Sequence, residues 1–413
     1  MAQQYDLIIV GAGMVGATLA LALADTALRI AVVDAAMLDR AARNPETASG
    51  YDPRVSALSA ASETILDNLG AWQQIPEQSR CSYRHMHVWD AEGTGEISFD
   101  AAALSESRLG HIVENHHIQQ ALLDSLKQTS ITLFSGQRVE GLVRESAEWR
   151  LVLESGKRLY APLIVAADGA QSRVRELAGF EMREWDYLHH AVVTTVQTEN
   201  MHQDTAWQRF LPSGPLAFLP LPDRNGAHYC SIVWSVLPEI ASELMALDEQ
   251  AFIQRLDEAF EGRLGAVLAT DARHCFALRQ RHAKHYAMQG LVVIGDAAHS
   301  IHPLAGQGVN LGLLDAAELA DVLKAALLRG EDLAGLTVLQ RYERRRIGAN
   351  LAMMAAMEGF ERLFHADALP LRWLRNAGMR LLDDQGFLKA GIMRRAMGPT
   401  GDLPALARAR FEG

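Results

Sequence analysis

The chain has 413 residues, 49% of them hydrophobic and 22% charged, with a formal net charge of −11. This is the profile of a soluble globular protein with room for two or three domains, and the acidic balance excludes a general nucleic-acid binder. Cys81, Cys230 and Cys275 are odd in number and far apart, so they suggest neither a disulfide framework nor a zinc site. No apolar run reaches the roughly 18 residues of a membrane span, and MAQQYDLIIVGAG has neither the basic start nor the cleavage site of a secretory leader.

In chain order, Tyr5–Val10 is a short apolar run rich in Ile and Val, expected as a buried parallel strand. Gly11, Ala12, Gly13, Met14, Val15 and Gly16 follow as GxGxxG, then an Ala/Leu-rich helix to about Asp25. A second strand, Ile30–Val33, ends in Asp34, 18 residues past Gly16. The first glycine permits the turn, the second lets backbone approach a pyrophosphate, and the third lets helix pack on strand. Asp34 is placed to bond ribose hydroxyls and would repel a 2′-phosphate. The unit predicts a dinucleotide with an adenine ribose.

A polar linker leads to Arg54, which could meet a phosphate ahead of the helix expected over Ala60–Leu69. Tyr83–Asp90 and Glu96–Phe99 alternate as a hairpin. Leu109–Asn115 leads into a helix over Ile118–Gln128. Two short strands, Gln137–Arg144 and Trp149–Leu153, precede a buried strand, Leu163–Ala167. That strand ends in Asp168-Gly169 before a helix start at Ser172.

Past Gly179 the pattern changes. Leu188–Thr198, Ala206–Leu211, Leu216–Pro220 and Tyr229–Val236 predict an antiparallel sheet, covered by helix over Pro238–Phe260. The apolar run Leu291–Ile294 then enters GDAAHSIHPLAGQGVNL, with Asp296, Pro303, Gly306, Gly308, Val309 and Asn310, before a helix over Leu313–Leu328. Ligands of open α/β sheets bind at such strand ends. This loop is too far along the chain to hold the ADP moiety, so it would hold the other half of a dinucleotide. A flavin fits, because a helix amino terminus stabilises the anionic reduced ring. No second GxGxxG is present.

The tail beyond about Leu336 is expected as helix. Residues 341–397 carry 11 Lys+Arg against 6 Asp+Glu. Met353, Met357, Phe360 and Phe364 share one helical face. Leu371, Leu374 and Leu381 share another, near Arg372, Arg375 and Arg380. Such a stretch can dock on an anionic membrane or cover the protein's own core.

GAGMVG with Asp34, ADGAQS around Asp168, and GDAAHSIHPLAGQGVN together resemble the flavin-dependent aromatic hydroxylases of the para-hydroxybenzoate hydroxylase type. DPRVSALSAAS, LGHIVEN, WDYLHHAVV, AFLPL, CSIVWS and the tail RYERRR through RRAMG are similar to the ubiquinone-biosynthesis hydroxylases within that group. The resemblance implies an α/β fold: a Rossmann-like FAD-binding domain with an inserted antiparallel β-sheet substrate domain and a C-terminal helical tail. The expected division is 1–75, 108–180 and 283–335 for the FAD-binding domain, 76–107 and 181–282 for the substrate domain, and 336–413 for the helical region.

It further implies FAD as cofactor and NAD(P)H as co-substrate, with oxygen transferred to ring carbon 5 or 6 of a polyprenylphenol. Carried over to this sequence, Gly11, Gly13, Gly16 and Asp34 hold the ADP moiety, and Arg54 and Asn115 contact the cofactor. Asp168 and Arg175 serve FAD and the nicotinamide. Asp296 binds the ribityl chain, and Gly308, Val309 and Asn310 face the flavin pyrimidine. Tyr187, His189, His190, Phe218 and Pro303 are candidates for the substrate face. His299 is expected to be structural. No metal is needed. The expected partners are the prenylated substrate, a biosynthetic complex, and a membrane met peripherally from the cytoplasmic side; a homo-oligomer is allowed. The competing expectations are a hydroxylase of a small soluble phenol and a non-catalytic flavoprotein subunit.

Overall fold

The computed structural model describes residues 3–38, 47, 49–91, 95–300, 308–364 and 403–409, with backbone alone for 186–188 and 360–364. A six-stranded sheet runs in the order Ala287–Met288, Leu291–Val293, Leu163–Ala166, Leu7–Val10, Ile30–Val33, Thr132–Phe134. Its pairs are parallel except the first. Leu7 stands beside both Leu163 and Ile30, so the carboxyl ends of the central strands lie side by side. LIIV, IAVV, LIVA and LVV are buried at every position, as parallel strands covered on both faces must be.

Helices Met14–Leu23 and Gly308–Leu328 pack on this sheet, and their apolar faces join the core that includes Leu19, Leu23, Leu319 and Leu323. A three-stranded sheet stands apart from it: Val55–Ser59 and Arg80–Tyr83 both pair with Gly110–Glu114. Neither Val55–Ser59 nor Gly110–Glu114 is expected from the sequence as a strand. Both are brief and end at helix starts, so their extended residues look like lead-ins. The helix expected over Ile118–Gln128 begins earlier, at Asn115.

The largest sheet has nine strands, built around Met182–Thr198, which pairs with Ala227–Val236 on one side and His274–Ala283 on the other. His85–Asp90 joins it through a parallel pairing with Thr205–Leu211 and an antiparallel one with Glu96–Asp100. Strand alternation gives this sheet two faces. One carries Val192, Val196, Phe218 and Trp234 against the helices Pro238–Ala246 and Glu249–Phe260. Each such fully buried Phe or Val side chain contributes about 1.5–3 kcal/mol. The other face carries Ala206, Leu219 and Leu221 against Tyr51, Ala57, Cys81 and Ile112, which locks it onto the three-stranded sheet.

The helix Leu336–Phe364 runs from the parallel sheet, where Leu339 and Tyr342 are buried, towards the large one, where Met357 packs near Val88, Ile97 and Phe210. Part of the Met-bearing face therefore covers the protein's own core. Leu371, Leu374, Leu381, Arg372, Arg375 and Arg380 lie outside the described residues. No helix among the described residues is long and apolar enough to cross a membrane.

Candidate active site

Three strand-end loops meet. Gly11 has φ +105°, and a Cβ there would stand 2.2 Å from the Ala167 carbonyl oxygen and 2.8 Å from the Asp168 nitrogen. Only glycine fits that contact. A Cβ on Gly16 would lie 1.9 Å from the Gly11 carbonyl oxygen, so helix and loop touch through backbone. Val15 fills the space that side chains on Gly295 and Gly312 would need, at 3.1 and 2.5 Å. The Ile294 N–H donates to the Ala166 carbonyl at 3.0 Å. Arg175, 8% exposed, donates from Nη1 to the Ala297 carbonyl at 3.0 Å and from Nη2 to the Ala170 carbonyl at 2.9 Å. The loops after Val10, Ala166 and Val293 therefore form one continuous rim.

Within the rim, certain groups remain open. Gly13 caps the helix Met14–Leu23 without a side-chain hydrogen bond, and a Cβ on it would meet nothing within 4 Å. The protein alone does not require glycine there, whereas a ligand lying against the helix start does. Among the described residues, a Cβ on Gly308, at the start of the helix Gly308–Leu328, would likewise meet nothing within 4 Å. Asp34 accepts from the Ala12 N–H at 2.5 Å and the Ala36 N–H at 2.7 Å, which pins the glycine loop and leaves carboxylate lone pairs for a ribose. Asp296 makes no hydrogen bond among the described residues. It is open to solvent yet crowded by surrounding protein, and that burial pushes its carboxyl above the usual range, against the opposing pull of His299. A carboxylate without a hydrogen bond among the described residues and a helix start at Gly13 without a capping side chain fit the two ends of a dinucleotide.

The other candidates divide. Asp168 caps its own helix: it accepts from the Ser172 hydroxyl, from the Arg173 N–H at 2.8 Å and from the Val174 N–H at 3.2 Å. Arg175 has spent donors on two carbonyls. Both side chains build the rim. Asn310, 3% exposed, accepts from the Ser59 N–H at 3.0 Å and donates to the Ala57 carbonyl at 2.8 Å, so its amide clasps the three-stranded sheet. Val309 packs near Ala17 and Leu313, and Met14 joins the same cluster. Arg54 is exposed, and its carbonyl accepts from the Asn115 N–H at 3.0 Å; the Asn115 side chain accepts from the Ser56 hydroxyl at 2.6 Å.

His189 and His190 cannot serve one face. His189 is buried and follows Ala191 and Val193 towards the three-stranded sheet. His190 follows Val192 to the helix-covered face, where its Nδ1 lies 3.6 Å from Cys275 Sγ. Phe218 also turns away, stacking on Phe260 with ring centroids 3.6 Å apart. For both, strand alternation decides, and the expectation of a substrate-facing side chain is corrected. The Tyr187 side chain, Pro303 and Gly306 lie outside the described residues.

A buried polar network behind the rim is missing from the sequence expectations. Asp315, fully buried, accepts from the Gly295 N–H at 3.0 Å and from Arg346 Nε at 2.7 Å. His299 Nε2 lies 2.5 Å from the same carboxylate. Asn350 donates to Asp315 at 3.2 Å and to the Tyr286 hydroxyl at 3.2 Å, which lies 3.0 Å from His282. Burial, with His299 nearby, pushes the His282 imidazole down to about 4. The available signal was a carboxylate inside the apolar run LGLLDAAEL, and an Arg and an Asn four residues apart on one later helix.

Gly13→Ala gives a sharp expectation. Its new methyl meets no protein atom among the described residues, so urea unfolding of the cofactor-free chain should stay as it was. Affinity for FAD should fall roughly tenfold or more as the methyl occupies the cradle. Flavin-fluorescence titration reads the second quantity directly.

Residues 4–356 match the family model described as an FAD binding domain. The chain is 38% identical over 398 residues to 3-demethoxyubiquinol 3-hydroxylase of Escherichia coli (strain K12), covering 96% of this chain and 99% of that protein. It is 36% identical over 396 residues to ubiquinone hydroxylase UbiL of Rhodospirillum rubrum, covering 95% and 89%. The solved structure of p-nitrophenol 4-monooxygenase PnpA from Pseudomonas putida DLL-E4 shares the fold, with a TM-score of 0.77 at 20% identity over 95% of this chain and 98% of that one.

Proposed function

Because this chain belongs to the FAD-binding-domain family and, within it, to the ubiquinone-biosynthesis hydroxylases, we propose that it hydroxylates the aromatic ring of a polyprenylated phenol. It is an FAD-dependent monooxygenase with NAD(P)H as electron donor. Bound FAD supplies the two-electron and oxygen chemistry of the reaction.

The chain's own groups do the rest. The start of the helix at Gly13 and the Asp34 carboxylate hold the ADP half; Asp296 and the start of the helix at Gly308 hold the flavin half. The single observation that carries this assignment is the convergence of the open Gly13 cradle and the free Asp296 carboxylate on one rim. Between the three-stranded and nine-stranded sheets lies a small apolar gap lined by Ala57, Met86, Ile112, Ala206, Ala217 and Leu219, and admitting an aromatic ring there requires these two sheets to part. Such a lining excludes water and holds an apolar ring in register. His189 points to that side of the large sheet by strand alternation and is our candidate for taking the phenol proton. The division into FAD-binding, substrate and helical regions follows the same assignment.

The test is NAD(P)H oxidation and oxygen consumption by the FAD-loaded chain, with a demethoxyubiquinol-type phenol carrying a prenyl tail and with its tail-less counterpart. Turnover confined to the prenylated compound supports the reading, and turnover of only the tail-less phenol overturns it.

A long isoprenoid tail adds roughly 0.8 kcal/mol of transfer free energy per buried CH₂, so such a substrate is held by membranes. We propose that the basic tail brings the enzyme to the cytoplasmic face of an anionic membrane, as a peripheral protein within a biosynthetic complex. Each cationic side chain near such a surface contributes about 1 kcal/mol. Replacing Arg372, Arg375 and Arg380 together by Gln should therefore abolish most cosedimentation with phosphatidylserine vesicles while FAD content is unchanged. Undiminished cosedimentation would remove the tail from this role.

A further inference from the structure

Beside the flavin rim, and separate from it, the junction of the strand Gly110–Glu114 with the helix Asn115–Leu126 gathers Asp52, Glu114, His116 and His117. Glu114 is 2% exposed. Its Oε1 accepts from the Asp52 N–H at 2.7 Å, which fixes the carboxylate. Its Oε2 is buried and accepts no hydrogen bond among the described residues. It faces His117 Nε2 at 3.4 Å, and His116 Nδ1, buried and equally without a hydrogen bond, faces Asp52 Oδ2 at 3.6 Å. The two imidazole rings lie with centroids 3.9 Å apart. One ligand atom each from Glu114, His116 and His117 fall within 4.8 Å of one another, at the edge of a groove bordered by Gly50, Pro76 and Ser79.

These separations are long for hydrogen bonds, whose N···O distance is roughly 2.7–3.2 Å. The Glu114–His117 separation is close to the edge of a tetrahedron about a shared centre with bonds of about 2.0–2.1 Å, roughly 3.4 Å. A buried carboxylate oxygen that accepts nothing is costly unless a cation completes it. The nearest fixed cation is Arg224, whose Nη2 is 3.7 Å from Glu114 Oε2. Its Nη1 donates to the Gly50 carbonyl at 2.5 Å and the guanidinium lies 3.6 Å over the Tyr51 ring, so Nη2 meets Glu114 at ion-pair rather than hydrogen-bond distance. The positive end of the helix dipole opposes a cation here, and the two carboxylates of Asp52 and Glu114 offset it.

We propose that Glu114, His116 and His117 form a binding site for one divalent first-row transition-metal ion, with Asp52 at its border. Two imidazole nitrogens and one carboxylate oxygen suit zinc and disfavour magnesium and calcium, which take all-oxygen shells. The ion would tie the segment Asp52–Arg54 to the helix start at Asn115 and stiffen the junction next to the cofactor rim.

The test uses the full-length, FAD-loaded chain, stripped of metal by a chelator and titrated with zinc sulfate by calorimetry, with bound zinc counted by elemental analysis after dialysis. One zinc per chain is expected, with no heat from magnesium at the same concentration. His116→Gln and His117→Gln should each weaken zinc binding roughly tenfold or more, while FAD content and the unfolding midpoint in chelator match the parent chain. Absence of zinc binding, or binding that both variants retain in full, overturns the site and leaves the cluster as an ion-pair junction.

Discussion

Asp315→Ala is expected to cost about 3–5 kcal/mol of stability, the range for removing one partner of a buried ion pair. The carboxylate is fully buried, and its removal leaves Arg346, 4% exposed, and His299, 1% exposed, without the group that both face. The Gly295 N–H and the Asn350 amide lose an acceptor at the same time. Folded proteins hold only about 5–15 kcal/mol in reserve, so the urea midpoint should fall steeply and soluble yield should drop.

The pH dependence separates this from a simple cavity effect. Burial alone would raise the Asp315 carboxyl, but His299 and Arg346 outweigh it and hold the group well below the usual carboxylate range. A depressed folded-state pKa gives stability that is present above the unfolded value, about 3.9, and lost as pH falls through the lower folded value. The gap between parent and variant should therefore stay constant from neutral pH down to roughly 5 and narrow only in stronger acid. A gap already closing near neutral pH would show that the carboxylate is not held as described.

The second large effect is on the cofactor. Asp296 has no hydrogen bond among the described residues, so Asp296→Ala removes nothing the protein uses to hold itself together. Bonds from hydroxyls to a carboxylate contribute roughly 1.5–3 kcal/mol, which corresponds to roughly a ten- to 150-fold loss of FAD affinity. The purified variant should be pale, should bind added FAD weakly, and should unfold at the same urea concentration as the cofactor-free parent. A variant that stays fully yellow and equally tight would displace Asp296 from the flavin half of the site. Paired with Asp315→Ala, it separates two functions of one loop: Asp296 faces the ligand, whereas its neighbours Gly295 and His299 face the buried carboxylate behind it.

These two residues also mark what the sequence discloses. Asp34, Gly13 and Asp296 are legible because glycine spacing after a β-branched run constrains both the backbone and what can approach it. Asp168, Arg175 and Asn310 sit in motifs just as visible, yet their side chains are occupied in a helix cap, two carbonyl contacts and a strand clasp. Residue type and spacing do not distinguish an acceptor aimed at a ligand from one aimed at the next turn's N–H groups. Asp315 and Arg346 are 31 residues apart on two helices, so their pairing depends on how the helices cross. The strands Val55–Ser59 and Gly110–Glu114 escaped because each is brief and gains its partner only in three dimensions. His190 and Phe218 lie on the helix-covered face and His189 on the other, a division the sequence leaves open because alternation fixes relative, not absolute, orientation until the packing is known.

The proposed function requires that an oxygen atom pass from O₂ to the ring of a prenylated phenol. The most direct measurement is mass spectrometry of the product formed under isotopically labelled O₂ by the FAD-loaded enzyme with NAD(P)H and a demethoxyubiquinol-type substrate. One labelled oxygen is expected in the product, and no label when only the water is labelled. Oxygen drawn from water, or NAD(P)H consumed with no hydroxylated ring product, would contradict it.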